Sequence, residues 1–295
     1  MKIAYEQRNF KAETPQIINR ADVLLHEYAQ KGYEVTLRQL YYRLVARGWL
    51  DNHMREYKRL GSIMSNARMA GLIDWNHLVD RTRNIDVPAT WSTPESLLQV
   101  CANSYAVDRW ATQPNRVEVW VEKDALINVI EKGAEPWQCP TFSCRGYTSQ
   151  SSMWQAGERL YGYAENEQTP IIIHLGDHDP SGIDMTRDIC DRLETFMGGL
   201  DVNRIALNMD QIQRLGKKLP PYPAKMTDSR ARGYVLEFGY DSWELDALEP
   251  DHLTRLIREA IENYVDMDKW DEAMEREQEG IDYLQALANK EEGED

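Results

Sequence analysis

Two carboxylates that follow an apolar run are the side chains of this sequence best suited to chemistry. The run from Ile171 to Leu175 has the composition of a parallel strand covered on both faces, and Asp177 and Asp179 come just after it. In open parallel sheets, ligands gather beyond the carboxyl ends of the strands. Because Mg²⁺ prefers carboxylate, water and phosphate oxygens, this Asp-x-Asp pair could bind it. A helix beginning near Ser181 would direct free N–H groups at a phosphate.

A third carboxylate ends a second expected strand. The stretch from Val117 to Glu122 predicts a strand, and the amphipathic stretch from Asp124 to Lys132 predicts a helix after it. We therefore expect Glu122, Asp177 and Asp179 to lie at strand ends of one sheet. The expected cofactor of the three acids is Mg²⁺, with Mn²⁺ as an alternative.

Two other interpretations of these positions stay open. Asp-Pro and Ser-Gly are common turn sequences, so Asp177 and Asp179 could simply cap the turn after the strand. His174 and His178 flank Asp177 and could recruit zinc or manganese. Strand alternation, however, places His174 among packed neighbours, which favours a buried imidazole over a metal ligand.

The motifs resemble a Toprim domain in type and order. The stretches at 121–125, 144–147 and 177–182 are similar to its glutamate, glycine and Asp-x-Asp motifs. The Glu-Lys-x-Ala and Asp-x-Asp-Pro-x-Gly versions resemble the topoisomerase VI A subunit and its relative, the meiotic double-strand-break protein. The resemblance spans most of residues 15–250. It sharpens toward the small phage and mobile-element relatives called Mini-A, through stretches at 57–63, 80–84 and 243–248.

An upstream aromatic pair supplies a candidate nucleophile. Thr36 and Gln39 have the spacing of a capping box, which predicts that a helix begins there. Arg38 lies one turn from Tyr42, so its guanidinium could assist a phosphate that the phenol attacks. Tyr41 would share that face as well, and an aromatic pair in a helix is more often part of a core. The family motif Arg-x-x-Tyr-Tyr, whose second tyrosine is the nucleophile, implies Tyr42.

The resemblance also implies a mechanism and an assembly. Tyr42 would attack a phosphate of double-stranded DNA and hold the 5′ end as a phosphotyrosine. Arg38 and Glu122 would assist it, and Glu122, Asp177 and Asp179 would hold the metal. The family works as a homodimer in which the tyrosine of one protomer acts with the metal site of the other.

The chain departs from topoisomerase VI in two respects. Its glycine motif lacks the Pro-Asp pair of the larger family, and no ATPase is encoded. We therefore expect Mg²⁺-dependent strand cleavage and rejoining by a type IIB topoisomerase A-like enzyme without its own ATPase, with an unidentified activating protein as a further partner. The alternatives are a hydrolytic Toprim nuclease that uses water, and a DNA-binding protein without catalysis.

Charge is divided unevenly along the chain. The net charge is −15, yet residues 1–116 hold 16 Lys and Arg against 12 Asp and Glu, while residues 241–295 hold 5 against 19. This favours a DNA-facing front and a solvated acidic tail. No apolar run approaches the roughly 20 residues that span a bilayer, and the N-terminus is polar, so we expect a cytoplasmic protein without membrane contact. The four cysteines lack zinc spacing.

These patterns predict an α/β protein with an α-rich front. Three helices and an Arg-dotted segment at 80–83 are typical of a helix-turn-helix or winged-helix unit. The resemblance implies a winged-helix (CAP-like) DNA-binding domain over residues 1–115, which carries the tyrosine. Residues 84–95 are expected to form a linker. The resemblance implies that a Toprim domain with a central parallel sheet follows over residues 116–249. An acidic extension of two helices is expected over residues 250–295.

Basic side chains in both predicted domains are candidates for DNA contact. The basic loop at 216–232 is expected to track the DNA backbone, although a solvated loop would have the same composition. The candidate DNA-binding residues are Arg43, Arg59, Arg68, Arg145, Lys225 and Arg230.

Overall fold

A four-stranded parallel sheet forms the centre of the computed structural model, which describes residues 1–79 and 88–291. Its strands are β3 (Asn115–Val121), β4 (Thr141–Ser143), β5 (Thr169–Leu175) and β6 (Asp201–Ala206), and their order is β4-β3-β5-β6. All three pairings are parallel. The expected α/β fold with a central parallel sheet is confirmed. The winged-helix and Toprim assignments stay predictions.

Alternating side chains of the central strands serve two hydrophobic clusters. Val119 and Ile173 belong to the larger cluster, while Trp120 and Ile172 belong to the smaller one. Helices α5 (Ile127–Ala134) and α10 (Pro250–Glu262) contribute to the larger cluster. Helices α6 (Gln150–Glu165) and α7 (Pro180–Met197) contribute to the smaller one. The sheet is thus covered on both faces, as its near-continuous apolar strands require.

The pairing register brings two strand ends level with each other. Val121 of β3 pairs with Leu175 of β5, and Glu122 N donates to the Leu175 carbonyl oxygen at 2.9 Å. Residues that follow these strands must therefore meet at one edge of the sheet. This edge is where the sequence analysis expects the three carboxylates.

The three helices predicted for the front of the chain are present. They are α1 (Thr14–Gln30), α2 (Leu37–Ala46) and α3 (Met54–Met69). The predicted capping box of α2 is present, since Thr36 Oγ1 accepts from Gln39 N and Gln39 Oε1 accepts from Thr36 N. The short strands β1 (Val35–Thr36) and β2 (Leu78–Val79) pair in parallel, unlike the antiparallel hairpin of a typical wing.

The predicted linker is shorter than expected. Helix α4 (Pro94–Ser104) begins inside it, because Thr93 caps the helix in a capping box with Ser96 and Pro94 takes the first position. The basic segment at 80–83 and the linker residues 84–87 lie outside the described residues. Helix α4 ends at Ser104, and Tyr105 after it is extended.

The remaining elements follow the sheet toward the C-terminus. The two helices predicted for the extension are confirmed, and the second packs on α4. Trp270 contacts Trp110 and Trp137 with ring centroids 5.6 and 5.2 Å apart, so the acidic extension is part of the body. These elements are α8 (Met209–Leu215), β7 (Tyr222–Pro223), α9 (Ala231–Phe238), β8 (Asp241–Ser242), α10 and α11 (Met267–Glu291).

One hydrophobic cluster joins the three predicted domains. Its buried members extend along the chain from Ile17 to Trp270 and include residues of α1, the central sheet and α10. Within residues 1–79 and 88–291, no helix combines the length and apolar character needed to cross a membrane.

Candidate active site

The three predicted acids meet at the edge of the sheet where β3 and β5 end. Glu122 Oε2 accepts a hydrogen bond from Asp177 N at 2.8 Å. Asp179 is the N-cap of α7, and its Oδ1 accepts from Gly182 N at 2.6 Å and from Ser181 Oγ at 2.9 Å. The turn-capping interpretation is therefore confirmed for Asp179. The convergence of Glu122 and Asp177 goes beyond capping, because both carboxylates are buried.

Lys123 lies at the centre of this acidic edge. Its ammonium is 2.8 Å from Asp177 Oδ2, 3.0 Å from Glu244 Oε2 and 3.3 Å from Asp246 Oδ1. The side chain is mostly buried, so these ion pairs are poorly screened by water. One cation thus holds together a strand-end acid and two acids from a distant part of the chain.

The loop at residues 243–248 reaches the site through two backbone anchors. Trp243 and His178 exchange both backbone hydrogen bonds at 2.9 Å. Two residues further on, Leu245 N donates to Asp177 Oδ1 at 2.8 Å. These contacts place Glu244 and Asp246 beside the strand ends and fix the direction of their side chains.

Tyr42 and Arg38 of α2 face the same acids. The Tyr42 hydroxyl lies beside the Glu244 carboxylate, close enough for each to shift the pKa of the other. Arg38 contacts Glu244 Oε2 at 3.0 Å and Asp246 Oδ2 at 3.1 Å, and its guanidinium carbon lies 5.9 Å from the Tyr42 ring centroid. The tyrosine, the arginine and the acids therefore form one connected network within a single chain.

The structure separates the two neighbouring tyrosines. Tyr41 donates its hydroxyl to the carbonyl oxygens of Asp51 at 3.0 Å and His53 at 3.2 Å, away from the acids. Tyr42 is the one that reaches Glu244. Both rings line a cavity of about 190 Å³, together with Arg38, Asn52, Met54, Tyr57, Tyr222 and Glu244.

Burial and neighbouring charges together set the pKa values of the site residues. Burial raises the pKa of Asp177 well above its usual range, although Lys123 opposes the shift. Burial also raises the pKa of Glu122. The phenol of Tyr42 has a raised pKa because it is buried and lies beside Glu244. Burial raises the pKa of Glu244, but Lys123, the Tyr42 hydroxyl and Arg38 outweigh it and hold that pKa below its ordinary value.

The site carries more negative than positive formal charge. Its members are the acids Glu122, Asp177, Asp179, Glu244 and Asp246, and the bases Arg38, Lys123 and Arg204. Five carboxylates against three cations leave a deficit of two positive charges when all are ionised. A buried site with such a deficit suits a divalent cation in charge and in donor type.

The carboxylate oxygens are engaged within the chain. Lys123 takes Asp177 Oδ2, and the Tyr222 hydroxyl donates to Asp179 Oδ2 at 3.2 Å. Among the described residues, no group of three His, Cys, Asp or Glu side chains is arranged to hold a metal ion. Carboxylate oxygens are the donor type that Mg²⁺ and Mn²⁺ accept, but a metal ion at this edge would have to displace Lys123 from Asp177 or Tyr222 from Asp179.

Five residues of this site were not assigned to it by sequence reasoning. Lys123 lies inside the glutamate motif, and Glu244 and Asp246 lie inside the 243–248 stretch, so the resemblance was a signal for them. Arg204 donates to the Asp177 carbonyl oxygen at 2.6 Å from β6, and Tyr222 comes from β7. No local pattern marked these last two, because only the fold brings them to the edge.

The candidate DNA-binding residues have different environments. Arg43 is a correction, since it is only 4% exposed and its guanidinium pairs with Glu249 at 2.6 Å and donates to the Ala247 carbonyl oxygen. Its partners from the 246–249 segment draw it inward, so it is not available to DNA. Arg145 and Lys225 are exposed, although Arg145 also contacts Asp124 at 3.0 Å.

The other three candidates are also involved in contacts within the chain. Arg59 is exposed and pairs with Glu56 at 2.8 Å. Arg68 is half-buried over the Trp75 ring, at 4.5 Å from its centroid. Arg230 pairs with Asp228 at 2.7 Å. Their contribution to DNA binding stays a prediction.

Both histidines beside Asp177 have structural roles in this fold. His174 is fully buried, its Nδ1 lies 2.9 Å from Thr186 Oγ1, and burial lowers its pKa to about 3. His178 Nδ1 lies 2.8 Å from the Tyr234 hydroxyl, and burial lowers its pKa to about 4. The expectation that His174 lies among packed neighbours is confirmed.

Comparison with known proteins adds no relative to these observations. No family model matches the chain, and no curated protein matches it.

Proposed function

We propose that this protein cleaves and rejoins double-stranded DNA through a covalent phosphotyrosine at Tyr42, in a divalent-metal-dependent reaction of the type IIB topoisomerase A kind. One observation carries the proposal: the Tyr42 hydroxyl, the Arg38 guanidinium and the strand-end acids are joined through Glu244 and Lys123 around one cavity. Transesterification at phosphorus needs a nucleophile, neutralised phosphate charge and a protonated leaving oxygen.

The residues of the network take distinct parts in this chemistry. Tyr42 would attack phosphorus, and Arg38 would pair with the phosphate oxygens in place of its present carboxylate partners. Glu122, Asp177 and Asp179 would hold Mg²⁺ or Mn²⁺, which neutralises phosphate charge when bound. Because the phosphotyrosine keeps the energy of the broken phosphodiester, rejoining needs no ATP.

A groove next to the cavity supports a nucleic-acid substrate. It has a volume of about 550 Å³, and Arg38 and Tyr57 line both spaces. Arg68 and Trp75 also line the groove, where the guanidinium stacks on the indole. Basic and aromatic side chains of this kind suit a nucleic-acid strand, by charge on the backbone and by stacking on bases.

A homodimer is part of the proposal, and it has a specific constraint. The resemblance implies that the tyrosine of one protomer acts at the metal site of its partner. In this structure Tyr42 connects to the acids of its own chain through Glu244 and Lys123. A reaction between protomers would therefore require α2 to leave these acids and to meet the equivalent acids, with the equivalent of Glu244, on the other protomer.

The test is capture of the covalent intermediate. Supercoiled plasmid incubated with the protein and Mg²⁺, then stopped with denaturant, should give cut DNA that carries protein on its 5′ ends until protease is added. Tyr42→Phe removes one hydroxyl and should abolish attachment. Tyr41→Phe is the matched control, because Tyr41 bonds the 51–53 segment and should leave attachment intact. Chelation of the metal should also abolish attachment.

One observation favours a second candidate, a hydrolytic nuclease. Tyr42 is 8% exposed and its pKa is raised, so in this state the phenol is neither accessible nor ionised. The same acids and metal could instead activate water. A Tyr42→Phe protein that still cuts DNA and leaves free 5′ phosphates would establish this candidate and exclude the covalent one.

A further inference from the structure

Glu244 is placed to act on the proton of the proposed nucleophile. Its carboxylate lies beside the Tyr42 hydroxyl, and both side chains line the 190 Å³ cavity. A phenol that attacks phosphorus must lose its proton as the new bond forms. A carboxylate that lines the same cavity beside that phenol is within reach of its proton, which is the first geometric requirement of a general base.

The surroundings keep Glu244 charged and oriented. Lys123 and Arg38 both contact Oε2 at 3.0 Å, which favours the carboxylate over the acid. The anchors of the 243–248 loop, through His178 and Asp177, limit its movement. A fixed, ionised carboxylate is ready to accept a proton, whereas a mobile or protonated one would not be.

We propose, as a deepening of the function proposed above, that Glu244 is the catalytic base for Tyr42. As the bond from the Tyr42 hydroxyl oxygen to phosphorus forms, the phenolic proton passes to the Glu244 carboxylate. The bond from phosphorus to the 3′ oxygen breaks, and that oxygen takes a proton from water. In rejoining, the 3′ hydroxyl loses its proton to water, and protonated Glu244 returns its proton to the departing Tyr42 phenolate.

Asp246 provides a matched control for a purely structural role. It contacts the same two cations, Arg38 at 3.1 Å and Lys123 at 3.3 Å, and it belongs to the same loop as Glu244. Glu244, however, lines the cavity beside the Tyr42 hydroxyl, whereas Asp246 is not among the residues that line it. If Glu244 only clamps α2 against the sheet, Asp246→Asn and Glu244→Gln should behave alike.

The experiment combines each substitution with a more acidic nucleophile. Single-turnover formation of the covalent adduct is measured for the full-length protein, for Glu244→Gln and for Asp246→Asn. Each is made with tyrosine or with a fluorinated tyrosine incorporated at position 42. Glu244→Gln should slow attachment by about 10² to 10⁴-fold with tyrosine, and the loss should shrink with the fluorinated residue, because a more acidic phenol needs less help from a base.

The outcomes separate the two proposals. Asp246→Asn should show the same fold-loss with either tyrosine. A Glu244→Gln protein that attaches at the unsubstituted rate, or whose loss is equal with both tyrosines, overturns the role of Glu244 and leaves the proposed function standing. Absence of attachment in the unsubstituted protein overturns the proposed function, and the role of Glu244 with it.

Discussion

At the level of single residues, Lys123 supplies the positive charge that stabilises the acidic edge when no metal ion is bound. Three carboxylates lie within 3.3 Å of its ammonium, and the side chain is mostly buried. Burying ions is costly. Removing one partner of a buried ion pair is strongly destabilising, because the other charge stays buried without compensation. Lys123 therefore occupies the electrostatic position that a metal ion would take among the same acids.

Removing the Lys123 charge should destabilise the protein in a pH-dependent way. Lys123→Met leaves Asp177, Glu244 and Asp246 without their common cation, at a cost of about 3 kcal/mol near neutral pH. Burial already raises the pKa of Asp177, and loss of Lys123 raises it further. When the pKa of an acid is higher in the folded protein than in the unfolded chain, the free energy of unfolding falls as pH rises, because the acid ionises more readily after unfolding.

Urea denaturation at several pH values measures this effect. The stability difference between Lys123→Met and the unsubstituted protein should be larger at pH 8 than at pH 5. Lys123→Arg keeps the charge and should lose less. A difference that stays constant across this range would show that the acids do not depend on Lys123.

The same substitution tests the metal site without an activity assay. If the acids hold Mg²⁺ where Lys123 now pairs with Asp177, removing the lysine should raise Mg²⁺ affinity. Added Mg²⁺ should then raise the melting temperature of Lys123→Met more than that of the unsubstituted protein, because binding to the folded state stabilises it. An Lys123→Met, Asp177→Asn double variant should lose the extra shift. Equal shifts in all three proteins would contradict a metal site at Asp177.

At the level of elements, the first turn of α7 shapes the acidic edge. Asp179 caps this turn, and Gly182 lies so close to the edge that a side chain there would overlap the Asp177 carbonyl oxygen and come within 3.0 Å of Glu122 Oε2. The glycine is needed for close approach between a helix and a strand end. Its φ is not in the left-handed region, so the constraint is one of space alone.

Two glycine substitutions distinguish space from helix propensity. Gly182→Ala should cost about 2 kcal/mol through overpacking and should weaken metal binding, since the Asp177 backbone must shift. Gly162→Ala in α6 is the matched control, because nothing lies within 4 Å of the added carbon and alanine favours a helix by roughly 0.5 kcal/mol or more. In thermal denaturation, Gly182→Ala should have a lower melting temperature than the unsubstituted protein, and Gly162→Ala a higher one. A Gly182→Ala protein of unchanged stability would contradict the close approach.

The elements also show which parts of the structure the sequence can predict. Strands β3 and β5 follow from apolar runs, and α2 follows from its capping box, because these signals are local. The Thr93–Ser96 capping box inside the expected linker is the same kind of local signal, although the prolines at 88 and 94 favour a linker there. The 243–248 loop is different, since its place depends on backbone pairing of Trp243 with His178, which are far apart in sequence.

The same distinction holds for the site. Glu122, Asp177 and Asp179 were expected at strand ends of one sheet because each follows an apolar strand, and the pairing of β3 with β5 brings them to the same edge. The choice of Tyr42 over Tyr41 could not be made from helical spacing, because both lie near the Arg38 face. The choice depends on tertiary contacts, in which Glu244 approaches Tyr42 and the 51–53 segment approaches Tyr41.

At the level of the whole molecule, shared packing and uneven charge act together. The predicted DNA-binding front and the acidic extension are joined, because Arg109 binds Glu277 of α11 and Trp110 packs on Trp270. A fragment that ends at residue 115 would expose these surfaces. DNA binding is therefore best tested in the full chain. Its net charge of −15 repels DNA, so a few exposed cations must provide the attraction to the phosphates.

The distribution of charge predicts which cations determine DNA affinity. Lys225 is exposed in the basic loop at 216–232, which reaches the acidic edge where Tyr222 contacts Asp179. Lys225→Gln should weaken binding to duplex DNA irrespective of DNA sequence. Each lost phosphate contact removes about 0.9 of a released counterion, so the slope of log affinity against log salt should become less steep by about that amount.

Arg276→Gln is the matched control, because Arg276 is equally a solvent-exposed cation but lies on α11 among acidic neighbours, where DNA is repelled. Binding isotherms between 50 and 200 mM salt, roughly the range over which such contacts weaken, measure both slopes. If Arg276→Gln lowered the slope and Lys225→Gln did not, DNA would bind the acidic face, and the proposed orientation of the substrate toward the 190 Å³ cavity would be wrong.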